Sequence, residues 1–389
     1  MAKRLYLDRN LQIIFGVSLI AVMGVSSITP VFPTIIREFN ITGGQVGLLI
    51  TSFALPSAIL APFLGVMADR LGRKRILVPS LFLFAVAGTA CAFIRDFNTL
   101  LIFRAFQGVG AAALGTINIT ILSDLYTGIK RSEAMGLTAS VINIGTTLYP
   151  FIGGALALLG WNYPFALPIL AVPIGILSLV SLKSIEPTRS GSIREYLSGT
   201  WKYLKNTKVI SIFGTGVLHF IILFGAFLTY FALLLEDSFG ASPFLIGLFI
   251  SGISLIAAIV SPQFGRINKK FSLSTIIGAG FTLYAVALVL VPLLTSMWLL
   301  LIPVIVCGIA IGVVVPGILT VIANMAPVEY RAAFMSISSL LLRLGQALGP
   351  PLMGLIYIWR GFNATFFIAA ALALLVPIIG TLFKKRISF

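Results

Sequence analysis

The sequence predicts an all-α membrane protein of twelve transmembrane helices in two pseudo-symmetric six-helix bundles, and three observations predict it. Of the 389 residues, 59% are hydrophobic and only 10% charged, with a mean hydropathy of +1.09, a composition that no ordinary water-soluble globule has. Apolar runs of about 20 residues, long enough to cross a hydrocarbon core of roughly 30 Å, recur from end to end. The second half of the chain also repeats the first in a single register.

Taken in order, the apolar runs place the first six spans at 11–36, 45–68, 76–94, 99–123, 132–156 and 164–182. The second six fall at 209–235, 244–265, 274–293, 297–322, 332–358 and 364–383. The runs are continuously apolar, with Gly and Pro inside them and no period-two alternation, so they read as helices rather than as barrel strands. The first span is long and lacks a small-residue cleavage site, which makes it a retained helix and not a signal peptide.

The repeat has an offset of 200 residues. Gly47, Leu48, Ile50, Leu55, Ala58, Ile59, Pro62 and Gly65 meet the same residue types 200 positions further on, as do Gly108, Thr120, Arg131, Met135, Gly145, Leu148, Pro150 and Gly154. Six crossings per half is an even number, so both halves enter the membrane in the same direction, an arrangement that suits a transporter. The expected organisation is a bundle at 1–182, a linker at 183–208 and a second bundle at 209–389. In the linker Ile193, Tyr196, Leu197, Thr200, Trp201 and Leu204 fall at helical spacing opposite Arg194, Lys202 and Lys205, which predicts an amphipathic helix lying on the membrane surface.

The net charge of +16 does not point to nucleic acid, because the basic residues are sorted by loop. With the N-terminus inside, the cytoplasmic segments carry 22 of the 27 Lys and Arg, the external loops carry Arg37, Arg95 and Arg360, and Arg104 and Arg343 lie within spans. The expected location is therefore the cell (inner) membrane with both termini cytoplasmic, the basic surplus facing anionic lipid headgroups. Cys91 and Cys307 fall inside spans and read as small apolar packing residues, so neither a disulfide, a metal site nor a cofactor is expected.

Between spans two and three stands GVMADRLGRKR, with five charges in the seven positions from Asp69 to Arg75. Asp69 can accept charge-assisted bonds from Arg73 or cap a neighbouring helix, and Gly65 is expected to admit another backbone. Gly65, Asp69, Arg70, Gly72, Arg73 and Lys74 resemble the GxxxDRxGRKx loop of the major facilitator superfamily. The resemblance implies a latch between the halves in an outward-open state, with Asp124 as its partner. The second half has Lys269 and Lys270 after Gly265 and lacks the acid, so the latch is expected once only.

Two further stretches carry the same resemblance. In span four Arg104, Gln107, Gly108, Gly110 and Ala112 resemble the RxxQGxGxA element of the family; Arg104 sits about 9 Å inside the outer end, where a charge is functional by default. In span five Gly136, Gly145, Pro150, Gly153 and Gly154 resemble the antiporter signature of the drug:proton branch, with Tyr149 in place of one Gly. The TPVFP stretch of span one, Pro30 to Pro33, is similar to an element of the same branch. The resemblance implies two halves that rock around a cavity lined chiefly by helices one, four, seven and ten.

Candidate cavity residues are Arg104, Gln107, Asn118, Asn143, Tyr149, His219, Phe227, Tyr230, Arg343 and Gln346. Arg343 lies roughly 16 Å from the start of its span, near mid-membrane. His219 is at a similar depth, with Phe227 and Tyr230 on its helical face. All eleven acids sit in loops or near span ends, which leaves Asp124, Glu133, His219 and Glu236 as candidates for moving protons.

The expected activity is secondary active transport, a monomer in the bilayer exporting hydrophobic or amphipathic small molecules in exchange for protons. The alternative is a carrier of organic anions, phosphorylated metabolites or lysolipids, suggested by the paired arginines. A nucleotide-driven pump is disfavoured because no GxxxxGK[ST] loop occurs. A channel or a membrane-embedded enzyme is disfavoured because neither a filter-like repeat nor a His-rich cluster does.

Overall fold

The computed structural model describes residues 5–182, 206–325 and 331–382, and every described element is helical. Ten stretches long and apolar enough to cross a membrane are α1 Arg9–Glu38, α2 Gly43–Leu71, α3 Arg73–Phe93, α4 Phe97–Leu125, α5 Gly128–Ala157, α6 Tyr163–Ser181, α7 Thr207–Phe239, α8 Pro243–Asn268, α9 Leu273–Leu293 and α10 Met297–Met325. The last helical stretch, Arg331–Leu382, is broken at Gly361, whose φ of 71° and ψ of −164° are open to glycine at little cost. Its two parts, 331–360 and 362–382, are α11 and α12. The described residues thus hold the twelve expected spans, the ends moved by a few residues.

Several starts follow from side chains in the loops. Asp8 accepts from the amides of Asn10 and Leu11 at 2.8 and 3.3 Å, and Asp96 from Thr99 at 2.8 Å, each satisfying donors that a helix start leaves bare. The Thr99 amide holds the Asp96 carboxyl below its ordinary value. Ser242 and Ser272 cap α8 and α9 in the same way. The turn before α3 is made by Gly72 at φ +100°.

The chain divides into two compact units, Met1–Asn40 with Leu48–Ser190, and Ile41–Gly47 with Gly191–Phe389. In the first unit α4 packs against α2 and α3, and α1 against α5; in the second α10 packs against α8 and α9, and α7 against α11. The 200-residue register reappears in these contacts. A Cβ added to Gly108 would collide with the carbonyl oxygen of Phe53, and one added to Gly308 would lie 2.8 Å from that of Ile253. Both residues of each pair are 200 apart from their counterparts. The α3–α4 contact repeats with the glycine exchanged: Gly110 faces the carbonyl of Ser80 at 2.8 Å, and Gly280 faces Ala310 and Val313. One helix of the pair must lack a side chain for the backbones to approach, and either can be the one.

Two expectations stand differently. The amphipathic helix expected within 183–208 lies outside the described residues up to Asn206, whose side chain accepts from the Lys208 amide at the start of α7. Gly65 does not admit a neighbouring backbone: a Cβ built there meets nothing within 4 Å.

Candidate functional site

Within the first unit the central feature is Arg104, 1% exposed on α4. Its Nε donates to the Leu49 carbonyl at 3.1 Å, and its Nη1 donates to the Gly24 carbonyl at 2.8 Å and to Gln107 Oε1 at 2.6 Å. The guanidinium carbon lies 4.6 Å from the centre of the Phe53 ring, close enough for a cation–π contact.

The local sequence builds this arrangement. Near Pro30 the α1 backbone tightens, and the Ile28 amide bonds to Val25 instead of reaching back to Gly24. That leaves the Gly24 carbonyl for Arg104. Gly108, one turn further along α4, lets α2 come close enough to deliver both the Leu49 carbonyl and the Phe53 ring. A planar group with five donors suits this set of acceptors from three helices better than an ammonium would. Nη2 is buried and has no hydrogen-bond partner among the described residues.

Further along α4, Asn118 donates to the Ile14 carbonyl at 3.1 Å and Ser18 Oγ at 2.7 Å, pinning the other end of α1. Its Oδ1 is buried without a partner among the described residues. Gln107 and Asn118 are 1% and 3% exposed, so three of the predicted cavity residues lie inside the packing of α1, α2 and α4. Of the two predicted on α5, Tyr149 is buried and Asn143 exposed.

The basic turn forms a second cluster in the same unit. Arg73 pairs with Asp69, at 3.4 Å one helical turn before it, and with Asp124 at the end of α4, and it donates to the Thr120 carbonyl at 2.9 Å. Asp124, Asp69 and Arg73 are 29%, 47% and 13% exposed at their side chains, so water reaches the acids and hardly reaches the cation. Lys74 Nζ donates to the Leu182 carbonyl at 3.2 Å. Arg70, at the end of α2, and Glu133, on α5, are both exposed.

The glycines of the antiporter-like stretch do different things. Gly153 is pressed onto the Ser27 backbone of α1, Gly145 faces the side chains of Leu19 and Val22, and Gly136 has open space around it. Pro150 and Gly154 are buried in α5.

In the second unit His219 is 1% exposed, and its Nδ1 lies 2.9 Å from the Tyr284 hydroxyl. Nε2 is buried with no partner among the described residues. Phe227 also meets the Tyr284 ring, with centroids 6.4 Å apart, but Tyr230 does not share this contact. Its ring meets that of Tyr357 at 5.1 Å, tilted by 36°, and its hydroxyl donates to the Gly43 carbonyl at 3.2 Å. The reason is a π-helical stretch, Ile222–Tyr230, whose extra residue per turn shifts later side chains around the axis; Thr229 Oγ1 accordingly reaches Phe224 five residues back. Arg343 and Gln346 are half-buried on α11, and Glu236 is half-buried near the end of α7.

Sequence reasoning missed Tyr284, Ser18, Thr120 and the carbonyls of Gly24 and Leu49. The pairing of the single His with a tyrosine two spans away has a signal, two polar groups at similar depth; backbone acceptors have none. Among the described residues no group of three His, Cys, Asp or Glu side chains could hold a metal ion. Cys91 and Cys307 are buried free thiols.

Comparison with known proteins places this architecture. The family model of the Major Facilitator Superfamily matches residues 14–237 and 215–388. The quinolone resistance protein NorA of Staphylococcus aureus is 26% identical over 344 residues, 86% of each chain. Multidrug resistance protein 2 of Bacillus subtilis is 25% identical over 345 residues, 87% of this chain and 86% of the other. Among solved structures, a bacterial homologue of the human lysosomal transporter Spinster, inward-facing and unoccupied, superposes with a TM-score of 0.80 at 18% identity, covering 97% of this chain and 96% of that one. The human organic anion transporter MFSD10 does so with a TM-score of 0.70 at 19% identity, covering 95% and 98%. With a family match running through both units, this multi-pass membrane chain belongs to the major facilitator superfamily, a family of transporters.

Proposed function

We propose that the protein is a proton-coupled efflux antiporter for hydrophobic or amphipathic small molecules, working by alternating access. The observation that carries this reading is the similarity to NorA along 86% of both chains, seconded by multidrug resistance protein 2. In this reading the termini face the cytoplasm, where the sorting of Lys and Arg puts them, and the monomer works in the cell membrane. Arg104 and Arg343 supply positive field within the spans. Asp124, Glu133, His219 and Glu236 are the groups available to carry protons. The Asp69–Arg73–Asp124 cluster acts as the single conformational latch.

Proteoliposomes test the coupling. Export of a fluorescent amphipathic dye should accelerate when a pH gradient is imposed and fall when a protonophore collapses it. Movement indifferent to the gradient removes the antiport. The second reading, a carrier of organic anions, is favoured by one observation: the two charges set well away from the span ends, Arg104 and Arg343, are both arginines. Competition by anionic solutes but not by cationic dyes would select it.

A further inference from the structure

We infer that a groove between the start of α3 and the end of α6 holds the headgroup of one anionic phospholipid. Lys74, Arg75, Val78 and Pro79 of α3 and Leu179 of α6 line this groove, which has a volume of about 400 Å³. Two of these five side chains are cations, and none is an acid.

The cations are available in a way that their neighbour is not. Arg73 is occupied by Asp69, Asp124 and the Thr120 carbonyl. Lys74 gives one bond to the Leu182 carbonyl and keeps further N–H donors. Arg75 is exposed and has no hydrogen-bond or ion-pair partner among the described residues.

The rest of the groove is apolar. Val78 is buried, Pro79 and Leu179 are exposed, and next to Leu179 on α6 Ile176, Leu177 and Val180 are 49%, 43% and 74% exposed. On a membrane-spanning helix such side chains meet hydrocarbon. A ligand with a negative head and an apolar body therefore matches the whole surface, whereas a free anion would use only the two cations. Basic residues at a membrane surface attract anionic headgroups, and here an open groove with apolar sides accompanies them.

The cation pair is not repeated in the second half. At the matching second-half positions Ser274 and Thr275 replace Lys74 and Arg75, and the basic pair Lys269 and Lys270 falls before the Ser272 cap rather than on the helix.

The test uses the full chain in detergent micelles doped with phosphatidylglycerol or phosphatidylcholine, read by native mass spectrometry and by thermal unfolding. The wild type and the K269Q/K270Q variant should retain one phosphatidylglycerol and show a Tm raised by that lipid. K74Q/R75Q should lose the retained lipid and at least half of the rise. R75Q alone should lose part of both, and since Arg75 has no hydrogen-bond or ion-pair partner among the described residues this variant stays informative where the double variant does not fold. Equal retention in K74Q/R75Q and wild type overturns the inference, as does a Tm rise that phosphatidylcholine reproduces. Inorganic phosphate giving the same rise would mean a free-anion site and would overturn it too.

Discussion

Arg104 Nη1 lies 2.8 Å from the Gly24 carbonyl oxygen, so a charge on α4 completes the loosened end of α1. Removing it strands acceptors on two other helices. Arg104→Ala is expected to cost about 1–3 kcal/mol for each of the Gly24 and Leu49 carbonyls left buried without a donor. Arg104→Lys keeps a charge but reaches fewer acceptors, and should fall between. Chemical unfolding in micelles measures both. An alanine variant as stable as the wild type would show that these bonds hold nothing together.

The Arg73–Asp124 pair links the basic turn to the far end of α4 in the same unit. Because both acids are partly solvated, Asp124→Asn should change stability by no more than about 1 kcal/mol. Transport should fall several-fold if the cluster is the latch proposed above. Exchanging the charges, Arg73→Asp with Asp124→Arg, should recover part of that loss. Recovery absent, with each single variant as impaired as the pair, would assign the defect to the Thr120 contact or to Asp69.

The spans and the repeat were legible because hydropathy and offset are properties of the chain itself. The depth of Arg104 was legible for the same reason, as was Asp124 as an acid at the end of span four, which the family resemblance proposed as partner of the basic turn. What holds Arg104 was not. Every residue carries a carbonyl, and only the three-dimensional path of α1 shows that Gly24 has lost its helical donor. The place of Tyr230 was misjudged because a regular 3.6-residue spacing puts it with His219, and the π-helical stretch in α7 breaks that spacing. Nor does sequence distinguish a glycine that is pressed on from one that is not: Gly65 and Gly108 both hold the repeat register, yet only Gly108 touches a neighbouring backbone.

That difference is itself testable. Gly108→Ala and Gly308→Ala each force a Cβ against a carbonyl, of Phe53 and Ile253, and should destabilise their units by about 1–3 kcal/mol, as overpacking does. Gly65→Ala and Gly136→Ala place a Cβ in open space inside helices. They should be neutral or stabilising by up to about 1 kcal/mol, because alanine loses less conformational freedom on folding. Thermal melting of the four variants side by side separates the pairs. A Gly65→Ala variant that melts normally but does not transport would mean that the residue is pressed on in another conformation.

His219 and Tyr284 pose the sharpest question of role. Their bond, 2.9 Å from Nδ1 to the hydroxyl, joins α7 to α9 in a buried aromatic setting, and Tyr284→Phe should cost about 1–3 kcal/mol by leaving a ring nitrogen unsatisfied. A packing role and a proton-carrying role then diverge in His219→Gln. If the imidazole only packs, dye movement down its own gradient and movement driven by a pH gradient should decline together, in step with stability. If it carries the proton, downhill movement should persist while the response to an imposed pH gradient drops at least tenfold. A variant that keeps full pH-driven transport removes His219 from the coupling path and leaves Asp124, Glu133 and Glu236 to be tested in turn.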